Sequence, residues 1–191
     1  MTVRRRGAAL EDSILEAAWT ELMSVGYARL TMEGVAARAQ TGKQVLYRRW
    51  RNRAELVITA VRHHIGSVAD QIPDTGELRS DVLAVLQRMT QRQRDLGPEI
   101  LHGLMAEAPD LAPEFLTVID GVMTTLLEQA EKRGELKVTD LPVRVVTLPA
   151  DLLRHEMLLT RHPIAEKPLV DIVDQVFLPL VRASISSKVS D

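Results

Sequence analysis

Residues 31–53, TMEGVAARAQTGKQVLYRRWRNR, hold two short helical patterns separated by only three residues. Thr31 is a residue type that caps helix N-termini, and Met32, Val35, Ala36 and Ala39 follow it at helical spacing. Gln40-Thr41-Gly42 interrupt the pattern, and Lys43–Trp50 resume it with Val45, Leu46 and Trp50 as apolar positions. A short helix, a tight turn and a second crossing helix are the parts of a helix-turn-helix, whose second helix enters the DNA major groove. The expectation is a chain that binds double-stranded DNA.

The periodic segments elsewhere also read as helices, and no convincing alternating strand is found. Helix 1 is expected over Ala8–Val25 on a stripe of Ile14, Leu15, Ala18, Trp19, Leu22 and Met23, with Gly26 as its stop. Trp19 and Trp50 are expected in the core. After Arg51-Asn52 a fourth helix is expected from Arg53 to about Gln71, and Ile72–Gly76 breaks the chain. A fifth runs from Leu78 to near Asp95–Pro98, and a sixth to about Ala108 with Gly103 as a weak point inside it. Pro109–Pro113 mark a turn into a seventh, apolar around most of its circumference from Phe115 to Ala130. The stretch Pro142–Thr160 contains Pro149 and should kink or split. The last helix, about Pro168–Ser186, should bend at Pro179. The expected domains are 1–52 for helix-turn-helix, 53–75 for a connecting helix and linker, and 76–191 for a helical body.

Charge follows the same division. Residues 1–62 carry 11 Lys and Arg against 6 Asp and Glu, whereas the remainder carries 13 against 20. Only the basic first third is suited to approach a polyanion. The chain has no cysteine, which removes disulfides and thiolate chemistry. No apolar run approaches membrane-spanning length and no signal-peptide pattern opens the chain, so no membrane partner and a cytoplasmic location are expected.

The arrangement resembles the TetR family of tetracycline-repressor-like regulators. The resemblance rests on Gly26-Tyr27, on Leu30–Ala39, on Lys43-Gln44-Val45-Leu46-Tyr47-Arg48-Arg49-Trp50, and on Arg53-Ala54-Glu55-Leu56. It covers about the first third of the chain. It implies an all-α fold, with a three-helix DNA-binding domain followed by a helical bundle for ligand binding and dimerisation. It also implies that Tyr47 bonds a phosphate through its hydroxyl and that Arg53 clamps the flanking backbone.

The residues themselves suggest Thr31 as a phosphate seat at a helix N-terminus, beside Gly42 in the turn and Lys43 as a backbone cation. Gln44, Val45 and Arg48 are left as base readers, able to meet adenine, a thymine methyl and guanine; Arg48 could equally hold a phosphate. Gln40 stands where the family usually has glycine, at a left-handed turn position. Gln44 replaces a frequently small residue, and Arg49 and Trp50 replace a frequent histidine and phenylalanine. Arg4–Arg6 are either a solubilising tail or a minor-groove arm.

For the body, Met89, Met105, Met123 and Met157 fall on four helices and could line an adaptable pocket or simply pack a core. The candidate ligand residues are Leu86, Met89, His102, Met105, Met123, Leu127, Leu152 and His155. Both Trp and both Tyr lie within residues 1–50, so a pocket in the body would be aliphatic and would suit an apolar effector. The last two helices carry more apolar surface than one body covers, and self-association would use it. Leu153, Met157, Val170, Val173, Phe177 and Val181 are the candidate homodimer face. No Gly-rich phosphate loop, HExxH or nucleophile elbow appears, and Asp151 with His155 makes only two of the ligands a metal needs. No enzyme activity, metal or cofactor is expected. The expected mechanism is repression relieved by an effector that favours the non-binding state; a protein partner, or no effector, is the alternative.

Overall fold

The computed structural model describes residues 7–107, 117–137, 141–160 and 162–186. Among these there is no strand. Arg4–Arg6, the Pro109–Pro113 turn and Phe115 lie outside the described residues.

The chain divides into two compact units, Met1–Ser67 with Glu99–Leu116, and Val68–Pro98 with Thr117–Asp191. In the first, α1 (Ala8–Val25) packs on α4 (Arg53–Ile65) and on α2 (Met32–Arg38), and α2 packs on α3 (Lys43–Tyr47). Ile14, Leu15, Ala18 and Leu22 of α1 are buried, as are Leu56, Val57 and Ala60 of α4. Met23, expected in that stripe, is exposed. Trp19 is only half-buried and stacks on His64 with ring centroids 4.2 Å apart. His63 and His64 both come within 3.7 Å of Glu16.

Helix α4 stops at Ile65 rather than near Gln71. Gly66 takes a φ of 77°, which terminates the helix, and Val68–Asp70 form a separate 3-10 turn. The apolar period continues past this stop, so spacing alone overran it. The expected boundaries at 52/53 and 75/76 also differ from the packing: α4 belongs with α1, and most of α6 (Pro98–Ala106) groups with the first unit.

Gly103 has a different role from the weak point expected. A Cβ at this position would collide with the Tyr27 ring, so the residue sets how closely α6 lies on that ring. The absence of a side chain here is a packing requirement that outweighs helix propensity.

In the second unit, α5 (Leu78–Leu96), α7 (Val118–Lys132) and α8 (Val143–Leu159) pack with a C-terminal rod made of α9 (Glu166–Asp171), π-helical turns at Ile172–Phe177, and α10 (Leu178–Ser186). Val82, Leu86, Met123, Leu126, Leu127, Ala150, Leu153 and Phe177 are buried there. The start of α5 is tied to the end of α7 by charge. Asp81, fully buried, accepts from Thr75 N–H at 2.6 Å, from Thr75 Oγ1 at 2.8 Å and from Arg133 Nη2 at 2.9 Å. Glu135 accepts from Leu78 N–H at 2.9 Å and from Arg133 Nε at 2.7 Å. A buried carboxylate met by three donors is satisfied rather than stranded.

Helix α8 passes through Pro149 as one element rather than as two pieces. Pro179 follows the wide turns directly, and Leu178 N–H reaches back five residues to Val173 O. Such a turn relieves the clash a proline ring makes with the carbonyl four residues before it.

The candidate dimer residues require correction. Leu153, Met157, Val173, Phe177 and Val181 are buried within the single chain, and Val170 is half-buried. Each C-terminal helix has an apolar face wider than one contact, and these residues occupy its inner half. Its outer half shows Leu158, Leu159, Val176 and Leu180, with Leu159 at 71% exposure.

Replacing Gly103 with alanine is expected to destabilise the protein by about 1–3 kcal/mol through overpacking, although alanine is the better helix former by about 1 kcal/mol. Denaturant midpoints of the two forms, at unchanged m value, check this.

Candidate nucleic-acid interface

Helix α2 begins at Thr31, whose Oγ1 accepts from Gly34 N–H at 3.0 Å. Met32, Val35 and Ala36 are buried behind that cap. The helix leaves through a complete Schellman closure, with Thr41 N–H on Ala36 O at 2.9 Å and Gln40 N–H on Ala37 O at 3.1 Å. Gln40 carries the left-handed turn that glycine would favour, with φ at 54°, so the turn keeps its shape and the side chain bears the strain.

The recognition helix α3 is shorter than the Lys43–Trp50 expected. It ends at Tyr47, and hydrogen-bonded turns carry the chain on: Arg49 N–H and Trp50 N–H both reach Leu46 O, at 2.8 and 2.9 Å. Leu46 and Trp50 are buried, and the Trp50 indole donates to Thr59 Oγ1 of α4 at 3.1 Å. Trp50 is therefore an anchor, as its position suggested. Lys43, Gln44, Tyr47 and Arg48 are exposed, with Tyr47 at 49%, and Val45 is half-buried. Gly42 precedes them in ordinary extended backbone, with open space where a side chain would stand. The structure thus places Gly42, Lys43, Gln44, Tyr47 and Arg48 on and beside one short helix, and Thr31 at the N-terminus of the helix packed against it.

Carboxylates pair with several cations of this region. Lys43 Nζ lies 3.3 Å from Glu33 Oε1, and Arg49 lies 3.7 Å from Glu11. The Glu33 carboxyl is held below its ordinary pKa by its own backbone N–H and by Lys43. Arg48 Nε instead bonds Gln44 O at 3.2 Å. Exposed pairs of this kind are worth about 0–1 kcal/mol and exchange partners readily.

Arg53, the expected backbone clamp, has partners within the protein. Its Nε donates to Glu107 Oε1 at 3.0 Å, and its Nη2 donates to the same oxygen. Its Nη1 donates to Leu30 O at 3.1 Å, and its guanidinium lies 4.8 Å over the Tyr27 ring. The hydrogen bond to Arg53 holds the Glu107 carboxyl below its usual range, and Glu107 raises Arg53 in turn. Burial, with Glu107 adding to it, raises the Tyr27 phenol above its usual value. Glu107 was missed in the sequence, because nothing local links positions 54 apart. The cap of α4 was also missed, although Asn52-x-x-Glu55 is a legible signature. Asn52 Oδ1 accepts from Glu55 N–H, and Glu55 Oε2 from Arg51 N–H, both at 2.9 Å.

A family model described as bacterial regulatory proteins, tetR family, matches residues 14–60, and one described as tetracyclin repressor-like, C-terminal domain, matches residues 72–176. The chain belongs to the TetR family. Among its relatives is the DNA-binding transcriptional repressor TetR of Mycobacteroides abscessus, 30% identical over 188 residues, covering 93% of this chain and 96% of the relative. An uncharacterised HTH-type transcriptional regulator of Mycobacterium tuberculosis is 29% identical over 181 residues, covering 91% and 89%. The crystal structure of the TetR family transcription regulator SCO0332 shares the fold at a TM-score of 0.68 and 24% identity, covering 88% of this chain and 96% of that one. This TetR-family chain is thus a transcriptional regulator with a DNA-binding helix-turn-helix.

The candidate ligand residues are not gathered in one unit. Leu86, Met123 and Leu127 are fully buried in the second-unit core, Met89 and Leu152 are half-buried, and His155 is exposed. His102 and Met105 sit on α6 in the first unit. A groove of about 480 Å³ in the second unit is lined by Gln87, Arg88, Thr90, Arg94, Ile164 and Leu169, among others, and by none of the eight candidates. Asp151 bonds Thr147 at 2.9 Å and Arg154 at 2.7 Å. Among the described residues no three His, Asp or Glu side chains cluster as a metal site, and no helix is long and apolar enough to cross a membrane.

Gln40→Gly is expected to stabilise the turn by up to about 1 kcal/mol, since it relieves a left-handed side chain, and Gln40→Val to destabilise it. Melting temperatures of the three forms check the order.

Proposed function

We propose that this regulator is a cytoplasmic homodimeric repressor that reads a roughly palindromic operator and leaves it when a small apolar molecule binds the body. The observation that carries the reading is the two-sidedness of α3. Leu46 and Trp50 lock it from behind while Lys43, Gln44, Tyr47 and Arg48 face solvent. Thr31, Gly42, Lys43 and Tyr47 serve the phosphates. Gln44, Val45 and Arg48 serve base edges, Gln suiting adenine and Arg suiting guanine. The proposed division of labour is functional and cuts across the packing units: residues 1–52 for reading, 53–75 for connection, and 76–191 for ligand and dimer, although most of α6 groups with the first unit.

Repression is supported by the name of the Mycobacteroides relative, which aligns over 93% of this chain. Dimerisation through the C-terminal helices is supported by the exposed outer residues Leu158, Leu159, Val176 and Leu180. An apolar effector is supported by the body's composition, whose only aromatics among Phe, Trp and Tyr are Phe115 and Phe177. Met89 and Leu152, half-buried, are the candidates best placed to meet it. Such a molecule acts by differential affinity; equal binding to both states would change nothing.

Selection of bound fragments from random DNA tests the reading. Recovery of a two-fold symmetric sequence supports it, and recovery of none removes it. On that operator, Lys43→Ala and Tyr47→Phe are expected to weaken binding to all sequence variants alike, with Lys43→Ala lowering the salt slope by roughly 0.9. Substituting Gln44 should instead change base preference at one position of each half-site, and equal loss on every sequence would remove it from the readers.

Leu159→Asp with Leu180→Asp is expected to convert the dimer to a monomer and to abolish high-affinity binding to the full operator. Sedimentation velocity reads the first and band-shift titration the second.

A further inference from the structure

We infer that Glu107 is an internal competitor for the DNA backbone, a carboxylate that occupies the Arg53 guanidinium where a phosphate would otherwise bind. The inference rests on the DNA-reading proposal above and concerns its regulation. Arg53 opens α4 next to the reading helix, where a cation is useful to a duplex. Yet three of its five N–H donors are already committed: Nε at 3.0 Å and Nη2 both to Glu107 Oε1, and Nη1 to Leu30 O at 3.1 Å. The Tyr27 ring covers one face of the guanidinium at 4.8 Å. The Arg53 side chain is 33% exposed and that of Glu107 27%, so the pair is neither sealed nor loose.

A phosphate at this fork would lie beside the Glu107 carboxylate, and two anions cannot share one fork without a charge penalty. To take the Nε/Nη2 fork DNA must therefore displace Glu107; otherwise it reaches Arg53 only beside that carboxylate. Of the neighbouring pairs, Lys43–Glu33 is more exposed and Arg49–Glu11 is longer, at 3.7 Å, and such pairs exchange at little cost. Glu107 is different because it follows directly on α6, and α6 also presses Gly103 against the same Tyr27 that lies under Arg53. The end of α6 thus touches Arg53 directly through Glu107 and indirectly through Tyr27. Any change that holds this end down withdraws one cation from the interface. By reciprocity, DNA that captures Arg53 loosens the end of α6.

The test uses the full-length protein and the operator recovered by selection. Glu107→Gln keeps shape and removes the competing charge. It is expected to tighten binding about five-fold or more and to steepen the dependence of log K on log salt by about 0.9, one added phosphate contact. Placed in an Arg53→Gln background, the same substitution should lose most of that gain, because the benefit passes through Arg53. Weaker or unchanged binding by Glu107→Gln at a preserved melting temperature would overturn the inference, since Glu107 would then only position Arg53. An equal gain in both backgrounds would overturn it too, as a generic effect of charge. If Glu107→Gln does not fold, Glu107→Asp shortens the reach while keeping the charge, and its affinity is read by the same criteria. Failure of the wild-type protein to recover any operator would instead sink the DNA-reading proposal itself.

Discussion

Leu46 and Trp50 hold the recognition helix from behind, and the reading face depends on that grip. A helix of five residues has almost no stability of its own, since nucleation costs more than so few hydrogen bonds return. What keeps Lys43–Tyr47 helical is tertiary: a fully buried leucine, a buried indole bonded to Thr59, and the closed turn at Gln40-Thr41 that fixes the angle of entry. With these in place the outer side is free to be polar. The same side chains that would be ordinary surface on a longer helix become a fixed array with defined directions.

The first unit is also more interlocked than a reading head joined to a connector. Asn52 and Glu55 cap α4, Glu55 holds Arg51, and Arg53 ties α4 to Leu30 and to Glu107. These contacts concentrate at the start of α4, immediately after the reading helix. Part of the basic character of the first third is thereby neutralised within the protein, and its net charge overstates the cations offered to a polyanion. Arg48, with Nε on a backbone carbonyl, offers its charge more openly than Arg53 does.

Most element types were legible in the sequence, and the reason is periodicity. Helix α1 ends at the glycine that was read as its stop, and the reading pair sits on the positions its spacing required. Three things were illegible for physical reasons. Helix α4 ends at Gly66 while its apolar period runs on to Val68, and a backbone conformation does not announce itself against such a run. On the C-terminal helices a wide apolar face was recognised, but period alone does not say which half turns inward; Leu153 and Phe177 went in while Leu159 and Leu180 stayed out. Glu107 joins Arg53 across 54 positions, and a pairing of that span leaves no local mark.

The wide turns at Ile172–Phe177 bear on how such chains diverge. A reach of five residues, as from Leu178 N–H to Val173 O, lodges one residue more than an ordinary turn holds. Losing a single codon there would rotate everything beyond it by about 100°. Val181 would swing toward the outside and a different side chain would take its place within. One deletion would thus change which side chains the proposed dimer face presents, where a regular rod would need many coordinated substitutions.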